Sequence, residues 1–198
     1  MFVMSVMSSI IFLVSLLSLI FTGAEAAVVS AVPTLSYKFT FAALNTSLPN
    51  ANDTGVPLVL GQDGAIDGAS LEVTSTYASF PYNDYPSILL TGGSLKAYRS
   101  SGVSITNATA VQSGGELQWI TSSYYSATPG TSYSAVTTQS GKYAVLAVFG
   151  NTDLWSLCPS HAFRGQNNVV YNVSTVASPY ASYDPSDCYK VTLNIVPL

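Results

Sequence analysis

The segment Leu35-Ser36-Tyr37-Lys38-Phe39-Thr40-Phe41 alternates apolar and polar side chains with a period of two. Only a strand sends successive residues to opposite faces, so Tyr37, Phe39 and Phe41 are expected on one buried face and Lys38 and Thr40 on a solvated one. The pattern recurs in Leu71–Tyr77, in Glu116–Ile120 and in Cys188–Val196, where Tyr189, Val191, Leu193 and Ile195 fall on one side. Val56–Leu60 and Tyr143–Phe149 are short apolar blocks, the second placed in the core. Turn residues punctuate these runs. Gly61-Gln62-Asp63-Gly64 reads as a turn, and Thr91-Gly92-Gly93-Ser94 joins Ser87–Leu90 to Leu95–Tyr98 as a hairpin. Asn167-Asn168 precedes a further strand over Val169–Val173. Ser, Thr, Val and Tyr prevail over helix formers, so no helix is expected. About eight to ten strands at this spacing predict an all-β chain: an antiparallel β-sandwich of jelly-roll type, as a single domain.

Charge narrows the function classes. The 198 residues carry 6 Lys+Arg and 10 Asp+Glu, a charged fraction of 8%, about a third of the usual ~25%. So few cations cannot neutralise a run of phosphates, which excludes a basic nucleic-acid binder. Coiled coils and charged bundles are excluded on the same composition. A hydrophobic content of 48% with a small net charge argues against disorder.

The first residues read as an address. Met1 to Ala24 is uncharged, Ile10 to Ile20 is strongly apolar, and Ala24-Glu25-Ala26 offers the small residues a signal peptidase accepts. Residues 1–26 are read as a signal peptide and 27–198 as the secreted domain. No Lys or Arg precedes the apolar run, and an uncleaved anchor is the rival reading. Secretion agrees with four N-glycosylation sequons, at Asn45, Asn52, Asn107 and Asn172. In an oxidising compartment Cys158 and Cys188 are expected to form one disulfide. A metal site is the poorer alternative, because His161 is the one histidine to join them.

Several chemistries lack their residues. No G-x-S-x-G turn, phosphate-cradling loop or dinucleotide fingerprint occurs, and His161 alone would have to serve any nucleophilic site. No catalytic residue, cofactor or metal is therefore expected. The enzyme class the composition permits is glycoside hydrolysis by Glu72 and Glu116, which needs two carboxylates facing each other across about 5–9 Å. Both are expected at outward strand positions, which weakens that option. Asp63 and Asp67 resemble half of a calcium loop, but Asp-Gly turn chemistry accounts for them.

The loop Tyr77–Pro86 gathers aromatics around Asn83 and Asp84. Sugars present C–H faces that stack on rings and hydroxyls that need short polar partners. Tyr77, Tyr82, Asn83, Asp84 and Tyr85 are therefore candidate carbohydrate-binding residues, against the alternative of a rigid loop packing its tyrosines on the fold. A second loop, Ser122–Tyr133, carries Tyr124, Tyr125 and Tyr133 with less polar help.

The run Leu58–Ala65, the hairpin Ser87–Tyr98, the apolar leader and the sequons together resemble the small secreted, cell-surface-associated glycoproteins of filamentous fungi. The likeness spans about residues 35–120 and lies in texture rather than in a fixed motif. It implies an extracellular, wall-associated, non-enzymatic protein and carries over no catalytic residue. The leading expectation is thus a secreted N-glycosylated structural or interaction protein of a cell wall or matrix. Its partners would be wall polysaccharide or surface proteins, with no nucleic acid and no stable membrane span after cleavage. A carbohydrate-binding module using loop 77–86 is the first alternative, and a small hydrolase using Glu72 and Glu116 the second.

Overall fold

The computed structural model describes residues 30–102, 105–122, 124, 128–137, 141–175 and 181–198. The expected signal peptide, 1–26, and Tyr125 lie outside the described residues. Among the described residues, thirteen strands form one hydrogen-bonded sheet in which every pairing is antiparallel. They are β1 (Ser30–Val32), β2 (Phe39–Asn45), β3 (Val56–Ile66), β4 (Ala69–Thr76), β5 (Ser87–Thr91), β6 (Ser94–Tyr98) and β7 (Ile105–Ala108). There follow β8 (Gln118–Ser122), β9 (Tyr133–Thr137), β10 (Ala144–Val148), β11 (Trp155–Pro159), β12 (Asn167–Tyr171) and β13 (Tyr189–Pro197). Two single 3₁₀ turns, Phe163–Gly165 and Pro185–Asp187, are the helical pieces among the described residues, and no helix there is long and apolar enough to cross a membrane.

The fold is a closed barrel and not a sandwich, which corrects the expected jelly-roll type. Nine strands complete a ring, in the order β2-β13-β11-β12-β4-β8-β7-β6-β5 and back to β2. β3 pairs with both β2 and β4, while β10, β9 and β1 continue outward from β13. Closure comes from strands that share an edge between two partners. Phe39 of β2 pairs with Ile88 of β5, while Ala42 and Ala43 pair with β3. β4 gives Ala69–Val73 to β8 and Ser75 to β12. Alternation tells that one face of a strand is buried, but it carries no information on such partner changes. A sandwich would leave unpaired edges on each sheet; the ring removes them.

The expected turn at Gly61–Gly64 is also replaced. β3 runs straight through it, and the register with β4 shifts between Gln62 and Gly64, so Asp63 is the extra residue of a β-bulge. The bulge bends and twists β3, the longest strand of the sheet, which lies outside the nine-strand ring.

One large core fills the barrel, with Phe39, Phe41, Trp119, Trp155, Leu193 and Ile195 almost wholly buried in it. Each such side chain contributes about 1.5–3 kcal/mol. Both indoles also find acceptors: Trp119 Nε1 donates to Thr74 Oγ1 (2.8 Å) and Trp155 Nε1 to the Leu146 carbonyl (3.0 Å). Cys158 and Cys188 form the expected disulfide, with Cα atoms 4.3 Å apart, joining β11 to the residue before β13. Beside it Val170 and Tyr183 make a smaller apolar cluster. Tyr37, expected on the buried face of the first strand, lies before β2 and is exposed.

Candidate functional site

Loop 77–86 joins β4 to β5 and is tied at several points. Phe80 N and Ser79 N donate to the Thr76 carbonyl (both 3.1 Å) and Tyr82 N to the Phe80 carbonyl (2.8 Å). Ser79 Oγ accepts from Asn167 N at 2.9 Å, which anchors the loop to the start of β12. Pro81 and Pro86 fix φ at two further positions. This backbone holds the Phe80 and Tyr82 rings edge to face at 5.1 Å and leaves Tyr82 63% exposed.

A second wall comes from the turn between β11 and β12. Gln166 is buried, and its amide bridges the backbone of the β3 bulge as another strand would: Gln62 N donates to Oε1 (2.9 Å) and Nε2 donates to the Gln62 carbonyl (2.7 Å). Three residues earlier Phe163 is exposed and sits at φ +47°. A non-glycine residue in the left-handed region costs about 1–3 kcal/mol and persists only where its surroundings impose it. Across from the ring, a Cβ on Gly64 would lie 3.7 Å from Phe163 Cζ.

Between these walls lies a groove of 730 Å³, lined by Gln62, Phe80, Tyr82, Asp84, Phe163 and Gln166 among others. It shares Gln62, Phe80, Asp84 and Phe163 with a recess of 470 Å³ at the mouth of the barrel, where Ser70, Glu72, Tyr85 and Arg99 join the lining. At the recess floor Glu72 Oε1 accepts from Ser70 Oγ and, at 3.4 Å, from Tyr85 OH. Its Oε2 accepts from Thr106 Oγ1 (3.4 Å) and Thr121 Oγ1 (3.5 Å). Arg99 Nε donates to Tyr85 OH (3.3 Å), with the guanidinium 5.3 Å from the Tyr85 ring centre.

Of the five candidate carbohydrate residues, Tyr82 and Asp84 line the groove. Tyr85 is buried beneath it with its hydroxyl in the recess. Tyr77 and Asn83 are exposed on the same loop and line neither depression. Phe80, Phe163, Gln62 and Arg99 were missed. Phe80 stands inside the candidate loop and was within reach of the composition argument. Phe163 is about 80 positions further along the chain, and nothing near it in sequence marks it.

Glu72 and Glu116 do not face each other. Glu72 pairs with Trp119, which is buried in the barrel, so Glu72 points inward and not outward as expected. Leu117 and Trp119 are both core residues, so Glu116 takes the opposite face, where it accepts from Asn168 Nδ2 (2.9 Å) and Ser182 Oγ (2.8 Å). Asp63 lies near both glutamates. Its carboxyl is pushed up to about 6, first by burial and then by the charge of Glu116, while the hydrogen bond from Gln118 Nε2 (2.7 Å) pulls the other way. Asp67 is exposed in the β3–β4 turn, and among the described residues no group of three His, Cys, Asp or Glu gathers as metal ligands would.

The remaining sites fall on the periphery. Asn45 and Asn52 flank the exposed β2–β3 loop, each closing a turn through its Oδ1: Ser47 N donates to Asn45 and Thr54 N to Asn52, both at 2.9 Å. Asn107 is on β7, between the buried Thr106 and Ala108. Asn172 follows β12 at φ +45°, with Nδ2 donating to Ser113 Oγ (2.9 Å). In the second aromatic loop Tyr124 is exposed and Tyr133 is buried. His161 is exposed, with its backbone N donating to the Ser182 carbonyl (2.6 Å).

No protein-family model matches the chain, and no curated protein or solved structure is significantly similar to it.

Proposed function

We propose that this is a secreted, N-glycosylated, non-enzymatic protein of a fungal-type cell wall or extracellular matrix that holds polysaccharide in the groove between loop 77–86 and Phe163. One observation carries the reading. Two segments far apart in sequence bring three partly exposed rings, Phe80, Tyr82 and Phe163, to one groove together with the polar side chains of Gln62 and Asp84. Rings offer stacking surfaces to sugar C–H faces, while an amide and a carboxylate supply both donors and acceptors for hydroxyls. At 730 Å³ the groove is within the ~300–1,000 Å³ range of ligand clefts. The low charge suits a ligand without phosphate or sulfate.

The test is retention on insoluble β-glucan and chitin particles, wild type beside Tyr82→Ala. Tyr82 is mostly exposed, so its removal leaves the melting temperature within about 2 °C. Retention by wild type and its loss in the variant support the reading. Failure of wild type to be retained on either particle ends it.

A further inference from the structure

Resting on the N-glycosylated part of that reading, we infer that the glycans of Asn45 and Asn52 lie back on the protein and cover an apolar groove beside the β2–β3 loop. The surface there docks the chain's own sugars and not a partner. The groove holds 550 Å³ and is lined by Leu48, Val56, Pro57 and Tyr189, with Asn45 and Asn52 both in its wall. Leu48 is 63% exposed and Val56 44%. Apolar side chains scattered singly on a surface need no explanation, but a continuous recess of them marks a place that something covers. Here the two attachment points belong to the recess itself, and that identifies the occupant.

The loop is built to hold both asparagines still. Asn50 closes its base: Asn45 N donates to Asn50 Oδ1, and Asn50 Nδ2 donates to the Asn45 carbonyl, both at 2.8 Å. Asn45 Oδ1 accepts from Leu48 N (2.8 Å) besides Ser47 N, and Asn52 Oδ1 accepts from Gly55 N (3.0 Å) besides Thr54 N. With each oxygen tied to two backbone donors, the plane of each amide is set, and so is the direction in which Nδ2 sends a sugar. Among the described residues no group accepts a hydrogen bond from either Nδ2, whereas Asn172 spends its own on Ser113 Oγ. The first sugar of an N-linked glycan brings a C–H face and an acetyl methyl group, which Leu48 and Val56 can cover, and turns its hydroxyls to water. The volume is within the ~300–1,000 Å³ of ligand clefts. From Val56 to Gln62 an extended strand runs about 20 Å, so these sugars leave the groove beside loop 77–86 clear.

The experiment compares wild type secreted by a eukaryotic host with Ser47→Ala/Thr54→Ala, which ends both sequons and keeps both asparagines, and with Asn107→Gln, which removes a sequon outside this groove. Peptide mass mapping reads the occupancy of each Asn, and hydroxyl-radical footprinting reads the accessibility of single side chains. Glycan is expected on both Asn45 and Asn52 of wild type. Labelling of Leu48 and Val56 is expected to rise severalfold in the double variant and to stay at the wild-type level in Asn107→Gln, with Tyr82 unchanged throughout. Enzymatic removal of glycan from folded wild type is expected to give the same rise, which keeps the test decisive if the double variant fails to fold. Glycan on both asparagines with no rise at Leu48 overturns the inference and leaves the N-glycosylated reading standing. So does an Asn45 or Asn52 without glycan while another sequon carries one. Glycan at none of the four sequons removes the N-glycosylated reading as well.

Discussion

Gln166 decides whether the groove has a second wall. Replacing it with Leu keeps the buried volume and removes both hydrogen bonds to Gln62, at 2.9 and 2.7 Å. Each bond is worth about 1 kcal/mol, and setting an apolar group against the Gln62 N–H and carbonyl adds a desolvation cost of about 1–3 kcal/mol, reduced where water reaches the bulge. With water reducing the desolvation part to about 0–2 kcal/mol, the two bonds and that cost together come to about 2–4 kcal/mol. For a chain of this size, 1 kcal/mol moves the melting temperature by about 2–4 °C, so Gln166→Leu should melt about 5–15 °C below wild type. Gln166→Glu keeps an acceptor for Gln62 N but cannot donate when ionised, so its penalty should shrink as the pH falls and the carboxyl gains a proton. Gly61→Ala attacks the same bridge from the other side. Its Cβ would lie 2.5 Å from Gln166 Oε1 and displace it. The two substitutions should therefore be markedly less than additive in a double-mutant cycle followed by thermal melting. A Leu variant that melts within about 2 °C of wild type, or strict additivity, would refute the bridge as the element that holds Phe163 over the groove.

The disulfide closes a sequence separation of 30, so chain entropy gives it about 3.5 kcal/mol. The Cys158→Ala/Cys188→Ala pair should melt about 7–14 °C lower, and a loss under about 3 °C would contradict that mechanism. Asp63 titrates at about 6 when folded against 3.8 for the ordinary side chain. Its ionisation therefore opposes folding: wild type loses stability as pH rises from about 4 through 6, and the loss is complete above that window. Asp63→Asn should match wild type at about pH 3.5 and exceed it by an increasing margin up to about pH 7 in melting scans; a constant margin would remove the carboxyl as the cause. Phe163→Asn places a residue that tolerates the left-handed region at φ +47°. It should hold or gain up to about 1 kcal/mol of stability while losing retention on polysaccharide, and unchanged retention would show that the groove has no use for the ring.

The strands were legible where burial is one-sided. Phe39 and Phe41 and the Val191, Leu193 and Ile195 face of β13 follow from alternation, because one face of each meets the core, while the hairpin of β5 and β6 follows from its Gly92-Gly93 turn. Four strands gave no such signal: β1, β7, β9 and β11. β11, Trp-Ser-Leu-Cys-Pro, is buried at four successive positions, since the Cys158 side packs against Val170 and Tyr183 while the Trp155 and Leu157 side enters the barrel. A strand covered on both faces has no period to read. Gly61–Gly64 failed for a related reason. Gly and Asp mark a bulge as readily as a turn, and only the partner strand, with Gln62 opposite Glu72 and Gly64 opposite Leu71, distinguishes them.

The groove was half legible for reasons that bear on what it does. Tyr82 and Asp84 were found because one loop concentrates them, but a loop alone offers a ledge. The opposite wall exists because β12 pairs with β4 through Asn168 and Ser75, which brings the turn before β12 against the β3 bulge. Phe163 bears an unfavourable φ, leaves 39% of its surface exposed and belongs to neither apolar cluster. The buried Gln166 bridge ties the turn that carries Phe163 to the β3 bulge, and Gly64 of that bulge lies across from the Phe163 ring. The Asp63 bulge, which ends at Gly64, and the Gln166 bridge to Gln62 meet beside Phe163, outside the core. The proposed function therefore rests on a groove with two walls, from loop 77–86 and from the turn that carries Phe163, and not on the composition of loop 77–86 alone.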